Sequence, residues 1–78
     1  MSEQSKAVNS FFRIALREDV DGLVSQLVLT ERQSKIFQMK YIQGHDVNFI
    51  ADTIGSSPHS VYKELRKIRT KIAKALDI

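Results

Sequence analysis

Apolar residues recur three and four positions apart along almost the whole chain. Val8, Phe11, Phe12 and Ala15 fall at i, i+3, i+4 and i+7, and Leu16 extends the stripe, which is the spacing of one face of an α-helix. The pattern predicts a helix over about Ser5 to Glu18, interrupted by the stretch EDVDG, Glu18 to Gly22. A short second helix is predicted over about Val20 to Val28, where Leu23 and Leu27, then Val24 and Val28, repeat at i, i+4. No segment alternates apolar and polar residues with β-branched enrichment between turns. The predicted fold class is therefore all-α, a small bundle of about five helices.

Local capping chemistry places the remaining elements. Thr30 and Gln33 stand in the relation in which each side chain satisfies an orphan backbone N–H of the other, so a third helix begins near Glu31. It carries Ile36, Phe37, Met39, Tyr41 and Ile42, and Gly44 is a natural residue to stop it. Asp46 can cap a fourth helix, in which Val47, Ile50, Ala51 and Ile54 repeat the i, i+3, i+4, i+7 spacing before Gly55 ends it. Ser57 then reads as an N-cap and Pro58 as the first residue of a fifth helix, where a missing N–H costs nothing and the fixed φ suits the helix. Along that helix Val61, Leu65, Ile68, Ile72 and Leu76 form one apolar stripe. Lys63 lies opposite it, flanked by His59, Arg66, Lys67, Thr70 and Lys74, which makes the expected outer face basic and unpaired.

Charge sharpens this picture. The chain has 78 residues and a net charge of +3, but residues 1–55 hold six Lys or Arg against seven Asp or Glu, while residues 56–78 hold six against two. An anionic partner for the C-terminal third is one reading, and a solvated helix face is the other. The length suits one small domain, with 42% hydrophobic and 27% charged residues, an ordinary globular composition. Without cysteine there is no disulfide and no thiolate metal site. The polar N-terminus, Met1 to Lys6, lacks the apolar stretch of a signal peptide, and no apolar run approaches the ~20 residues that cross a bilayer. A cytoplasmic protein with no membrane partner is expected.

A short helix ending in glycine, a turn of about three residues and a second amphipathic helix with a basic face is the layout of a helix-turn-helix. Ala51 is small where two helices must cross closely, Gly55 takes the turn four residues later, and Val61 returns to the core six residues after that. From Leu29 to Leu76 the chain resembles region 4 of bacterial sigma factors without a gap, with the related LuxR-type helix-turn-helix sharing much of the pattern. Leu29, Thr30, Arg32 and Gln33 fit the family's opening Leu-Thr-x-Arg-Gln, and Met39, Lys40 and Tyr41 its Leu-Arg-Tyr segment. Gly44 fits its glycine, Ile50 and Ala51 its Glu-Ile-Ala element, Gly55 and Ser57 its Leu-Gly-Ile-Ser turn, and Ser60 and Val61 its Thr-Val pair. The chain departs from the family at Phe49, where Glu is usual, and at Pro58, where a charged residue often stands.

The resemblance implies a sequence-specific transcription regulator that reads the major groove of double-stranded DNA with the helix starting at Ser57. His59, Tyr62, Lys63 and Arg66 are expected near bases, and Ser60, Lys67 and Thr70, with Lys40 from the third helix, at phosphates. The family's region 4 also docks on RNA polymerase. Since nothing upstream matches the family's promoter-melting region, the chain is expected not to be a complete sigma factor. It reads instead as a small regulator of phage or mobile-element type, or as a polymerase-binding module or half of a split sigma factor. Residues 29–78 form the region 4-like domain in this reading, and residues 1–28 an extension that either completes the core or makes a homodimer reading two half-sites. Catalytic chemistry has no support: His45 and His59 have no nucleophile or carboxylate cluster beside them, and Gly22, Gly44 and Gly55 form no phosphate-cradling loop. No cofactor or metal is expected, and His45 with Asp46 reads as a loop and a cap.

Overall fold

A computed structural model describes residues 3–77, with side chains from residue 6 onward. In chain order it contains α1 (Glu3–Ile14), α2 (Arg17–Gln26), α3 (Glu31–Phe37), a π-helical segment (Gln38–Ile42), α4 (Val47–Ile54) and α5 (Pro58–Leu76). The described residues are thus all-α, with five α-helices and no strand, as the periodicity predicts. The chain divides into two compact units, one comprising Met1–Val28 and Arg69–Ile78 and the other Leu29–Ile68.

In the first unit the helix boundaries differ from those expected. α1 stops at Ile14 instead of running to Glu18, and the acidic stretch expected to break a helix begins one instead. The Leu16 N–H donates to Asp19 Oδ2 at 3.1 Å, and the Asp19 N–H to the Leu16 carbonyl at 3.0 Å. Glu18 and Asp19 thereby sit in the first turn of α2, where carboxylates favour the positive end of the helix dipole. The same shift moves the far end. α2 finishes at Gln26, so Leu27 and Val28 lie beyond it, and Val28 is 84% exposed. The Lys71 ammonium donates to the Val28 carbonyl at 2.7 Å, supplying a partner that this non-helical backbone lacks.

Among the described residues of this unit, Val8, Leu23, Ile72 and Ala73 are the buried apolar ones. Of the N-terminal stripe, Val8 is wholly buried, and Phe11, Phe12 and Ala15 are half-buried. The two phenylalanine rings meet edge to face at 5.2 Å, an arrangement that aromatic quadrupoles favour. Leu16 and its neighbour Ile14 remain exposed.

The second unit follows the capping chemistry closely. The Gln33 N–H donates to Thr30 Oγ1 at 3.1 Å and the Thr30 N–H to Gln33 Oε1 at 3.2 Å, closing the reciprocal cap that starts α3. Gln33 is accordingly buried without cost to its amide. The expected helix to Ile42 is altered after Phe37: the Gln43 N–H reaches back five residues to the Gln38 carbonyl at 2.9 Å, a π turn. A turn holding about one extra residue rotates the next residues of the chain relative to a continuing α-helix. Within this segment Lys40 and Tyr41 are half-buried, with the Tyr41 ring 5.5 Å from Phe37, while Ile42 is exposed. Gly44, at φ +76°, ends the segment.

α4 starts where Asp46 Oδ1 accepts from the Phe49 N–H at 2.8 Å. It ends where Gly55 turns left-handed at φ +69°, with the Ser56 N–H on the Ala51 carbonyl at 2.8 Å. Val47, Ile50 and Ala51 of α4 are buried, as are Ile36 and Phe37 of α3 and Val61, Leu65 and Ile68 of α5. Two helices joined by a glycine turn, each burying one stripe, make the helix-turn-helix.

Candidate nucleic-acid interface

The interface is built on α5, whose start is fixed by residues 57–61. Ser57 Oγ accepts from the Ser60 N–H at 3.2 Å, and the Ser57 hydroxyl donates to Ser60 Oγ at 3.1 Å. Pro58 is the first helical residue, and the Val61 N–H closes the first regular turn on the Ser57 carbonyl at 3.1 Å. Once the helix is started here, its periodicity decides what is presented. Val61, Leu65, Ile68 and Ile72 are each 2% exposed or less. At about 100° per residue, the opposite face carries His59, Lys63, Arg66, Lys67 and Thr70, and Tyr62 stands at its edge, nearer the stripe. All six are exposed.

That face is basic, but it is not unpaired as expected. Lys67 Nζ lies 3.7 Å from Glu64 Oε1, one turn earlier. With its lysine in solvent and its glutamate half-buried, an i, i+3 pair of this length contributes little to stability, and it leaves Lys67 on the surface. Arg66 and Thr70 are not without partners either. Ser60 sits at the side of the helix, half-buried, with its backbone and hydroxyl engaged by the Ser57 cap. Lys40 is half-buried in the π turn. His59, Ser60, Tyr62, Lys63, Arg66, Lys67 and Lys40 all belong to the second unit, whereas Thr70 belongs to the first.

Arg32 is not among the expected DNA contacts, yet its Nη2 donates to Ser56 Oγ in the turn that leads into α5. The contact joins residues 24 positions apart, so periodicity gives no sign of it. Position in the Leu-Thr-x-Arg-Gln stretch is the only signal. Phe49, the residue that stands where the sigma pattern has Glu, is 48% exposed on α4 and stacks on His45 with centroids 4.3 Å apart. Among the described residues no group of three or more His, Cys, Asp and Glu side chains comes together.

The sequence model of the ECF sigma factors matches residues 3–78. The chain belongs to the ECF sigma factor family. The match includes the segment around Val8 to Leu16, which the region 4 resemblance alone left outside the shared pattern. Family membership places the chain in transcription regulation, among non-enzymatic factors that act with RNA polymerase and DNA. No curated protein and no solved structure matches the chain. No helix among the described residues is long and apolar enough to cross a membrane.

Proposed function

We infer that this ECF sigma family chain is a sequence-specific DNA-binding transcription regulator whose α5 enters the major groove. The single observation that carries the reading is the division of α5 into a buried stripe and an exposed remainder that carries His59, Tyr62, Lys63 and Arg66. A helix fits the major groove, and donors on its first two turns reach base edges while neighbouring cations meet phosphates. His59, Tyr62, Lys63 and Arg66 take the base-facing role, and Ser60, Lys67, Thr70 and Lys40 the positioning role. Arg32, anchored to Ser56, adds a cation beside the turn. Binding to duplex weakens steeply with salt as counterions are released. Lys63→Ala and Arg66→Ala each cost ~1 to 3 kcal/mol at the selected site. Titrations from low to physiological salt measure both effects, and a double variant that binds its best site like the wild type overturns the assignment of α5.

A second reading, docking on RNA polymerase as a region 4-like module or half of a split sigma factor, is favoured by one feature of the second unit. Ser34, Lys35, Gln38, Gln43 and Thr53, with the apolar Met39 and Ile54, line an open groove. Pulldown of core polymerase by the chain, lost on Met39→Asp while duplex binding persists, supports this reading. A homodimer through the N-terminal segment would use Ile14 at the end of α1 and Leu16 just beyond it, exposed by 79% and 63%, because Val8 is buried. Light scattering at tens of micromolar tests it: a mass near twice 8.9 kDa that Leu16→Asp halves supports pairing, and a monomer mass overturns it.

A further inference from the structure

The exposed face of α5 contains one residue that hydrogen bonding does not explain. His59, Lys63 and Arg66 present nitrogen donors, but Tyr62 presents an aromatic ring, 58% exposed among charged neighbours. It lies three residues after His59 and four before Arg66, on the same side of the helix and within its first two turns. At about 100° per residue the ring stands about 80° from the centre of the core stripe of α5, on the flank of the helix, and it stays 58% exposed there.

The edges of base pairs in the major groove offer polar atoms almost everywhere. The exception is the C5-methyl group of thymine, the one apolar group displayed there. A tyrosine ring beside the methyl removes apolar surface of both from water, whereas His59, Lys63 and Arg66 on the same two turns present nitrogen instead. We propose that Tyr62 is a specificity-determining residue that reads a thymine methyl in the major groove. The proposal rests on the major-groove reading of α5 and names what one position of that helix selects.

Its geometry commits to a pattern. Tyr62 and Arg66 are one helical turn apart, about 5.4 Å, which spans no more than about two base-pair steps of ~3.4 Å. If Arg66 pairs with guanine O6 and N7, the favoured arginine contact, the thymine read by Tyr62 falls within two steps of that guanine. The Tyr62 hydroxyl offers a competing use, a hydrogen bond to a phosphate, which would carry no preference for thymine.

The test uses the full 78-residue chain and a duplex selected from a random library at low salt. Each thymine of the selected site is replaced in turn by deoxyuridine, which removes the methyl and leaves the hydrogen-bonding edge intact. At one position, within two steps of a guanine, affinity is expected to fall about three- to fivefold, the scale for one buried methyl group. Tyr62→Ala abolishes that difference with an unchanged salt slope, and Tyr62→Phe keeps it. Equal binding of thymine and uracil at every position overturns the proposal, as does a methyl preference that survives Tyr62→Ala. A Tyr62→Phe variant that loses affinity for all duplexes alike assigns the residue to a phosphate and also overturns it. The parent reading is separated by Lys63→Ala with Arg66→Ala: loss of the selected site in that variant, with no uracil effect in the wild type, removes the methyl contact and leaves α5 in the groove. Failure to enrich any site overturns both.

Discussion

The same substitution, glycine to alanine, should move stability in opposite directions at two positions of this chain. Gly55 ends α4 at φ +69° and ψ +39°, and Gly22 sits inside α2 with ordinary helical backbone. A Cβ built at either glycine has no heavy atom within 4 Å, so neither change creates a steric clash with a neighbour. The backbone alone is left to decide the outcome. At Gly55 a side chain must occupy the left-handed region, which costs roughly 1–2 kcal/mol, partly offset by the lower entropy of the unfolded chain. The net loss is about 1 kcal/mol, which lowers the thermal midpoint of a domain this size by ~4–8 °C. At Gly22 alanine is the better helix former, and the gain is ~0.5–1 kcal/mol, raising the midpoint by several degrees. Gly55→Asn should recover part of the loss, because asparagine tolerates the left-handed region. Far-UV circular dichroism melts of the wild type and the three variants give the comparison. A midpoint unchanged or raised by Gly55→Ala, or lowered by Gly22→Ala, refutes the argument that backbone conformation alone sets the sign.

Ala51→Leu adds three heavy atoms at a position 1% exposed and should cost ~1–3 kcal/mol through overpacking; an unchanged melt places Ala51 outside the core. Ser57→Ala removes the acceptor of the Ser60 N–H and should cost about 1 kcal/mol. Ser57→Asp should instead preserve the melt while weakening duplex binding, because it keeps a cap and puts a negative charge at the head of α5; equal loss of stability in both variants would show that the cap is not what Ser57 supplies.

Much of the second unit is legible in the sequence because its boundaries are set by chemistry local to a few residues. Thr30 with Gln33, Asp46 with Phe49, and Ser57 with Ser60 each close a cap across three positions, and Gly55 marks a left-handed turn that other residues resist. The α1–α2 junction escapes the pattern for a related reason. Glu18 to Gly22 reads as a break because aspartate and glycine are poor helix formers, yet Asp19 acts as the N3 carboxylate of a cap whose N-cap residue is a leucine. Leucine offers no side-chain acceptor, so the usual sequence signature of a helix start is half missing.

The π turn at Gln38–Ile42 leaves still less trace. Its backbone bonds reach five residues instead of four, and no residue type is required for that. Lys40 lies inside that segment, half-buried, so α-helical periodicity continued from α3 is no guide to its direction. By contrast, α5 has no such irregularity between Pro58 and Leu76, and so His59, Tyr62, Lys63 and Arg66 stand where a constant turn angle puts them. Periodicity is therefore a sound guide to which side chains face outward on α5, but not to the neighbours they meet. Lys67 finding Glu64 and Arg32 reaching Ser56 depend on side-chain reach and on the path of the chain. The first lies within the helix, one turn away, where the i, i+3 spacing permits the pair without requiring it. The second requires the fold.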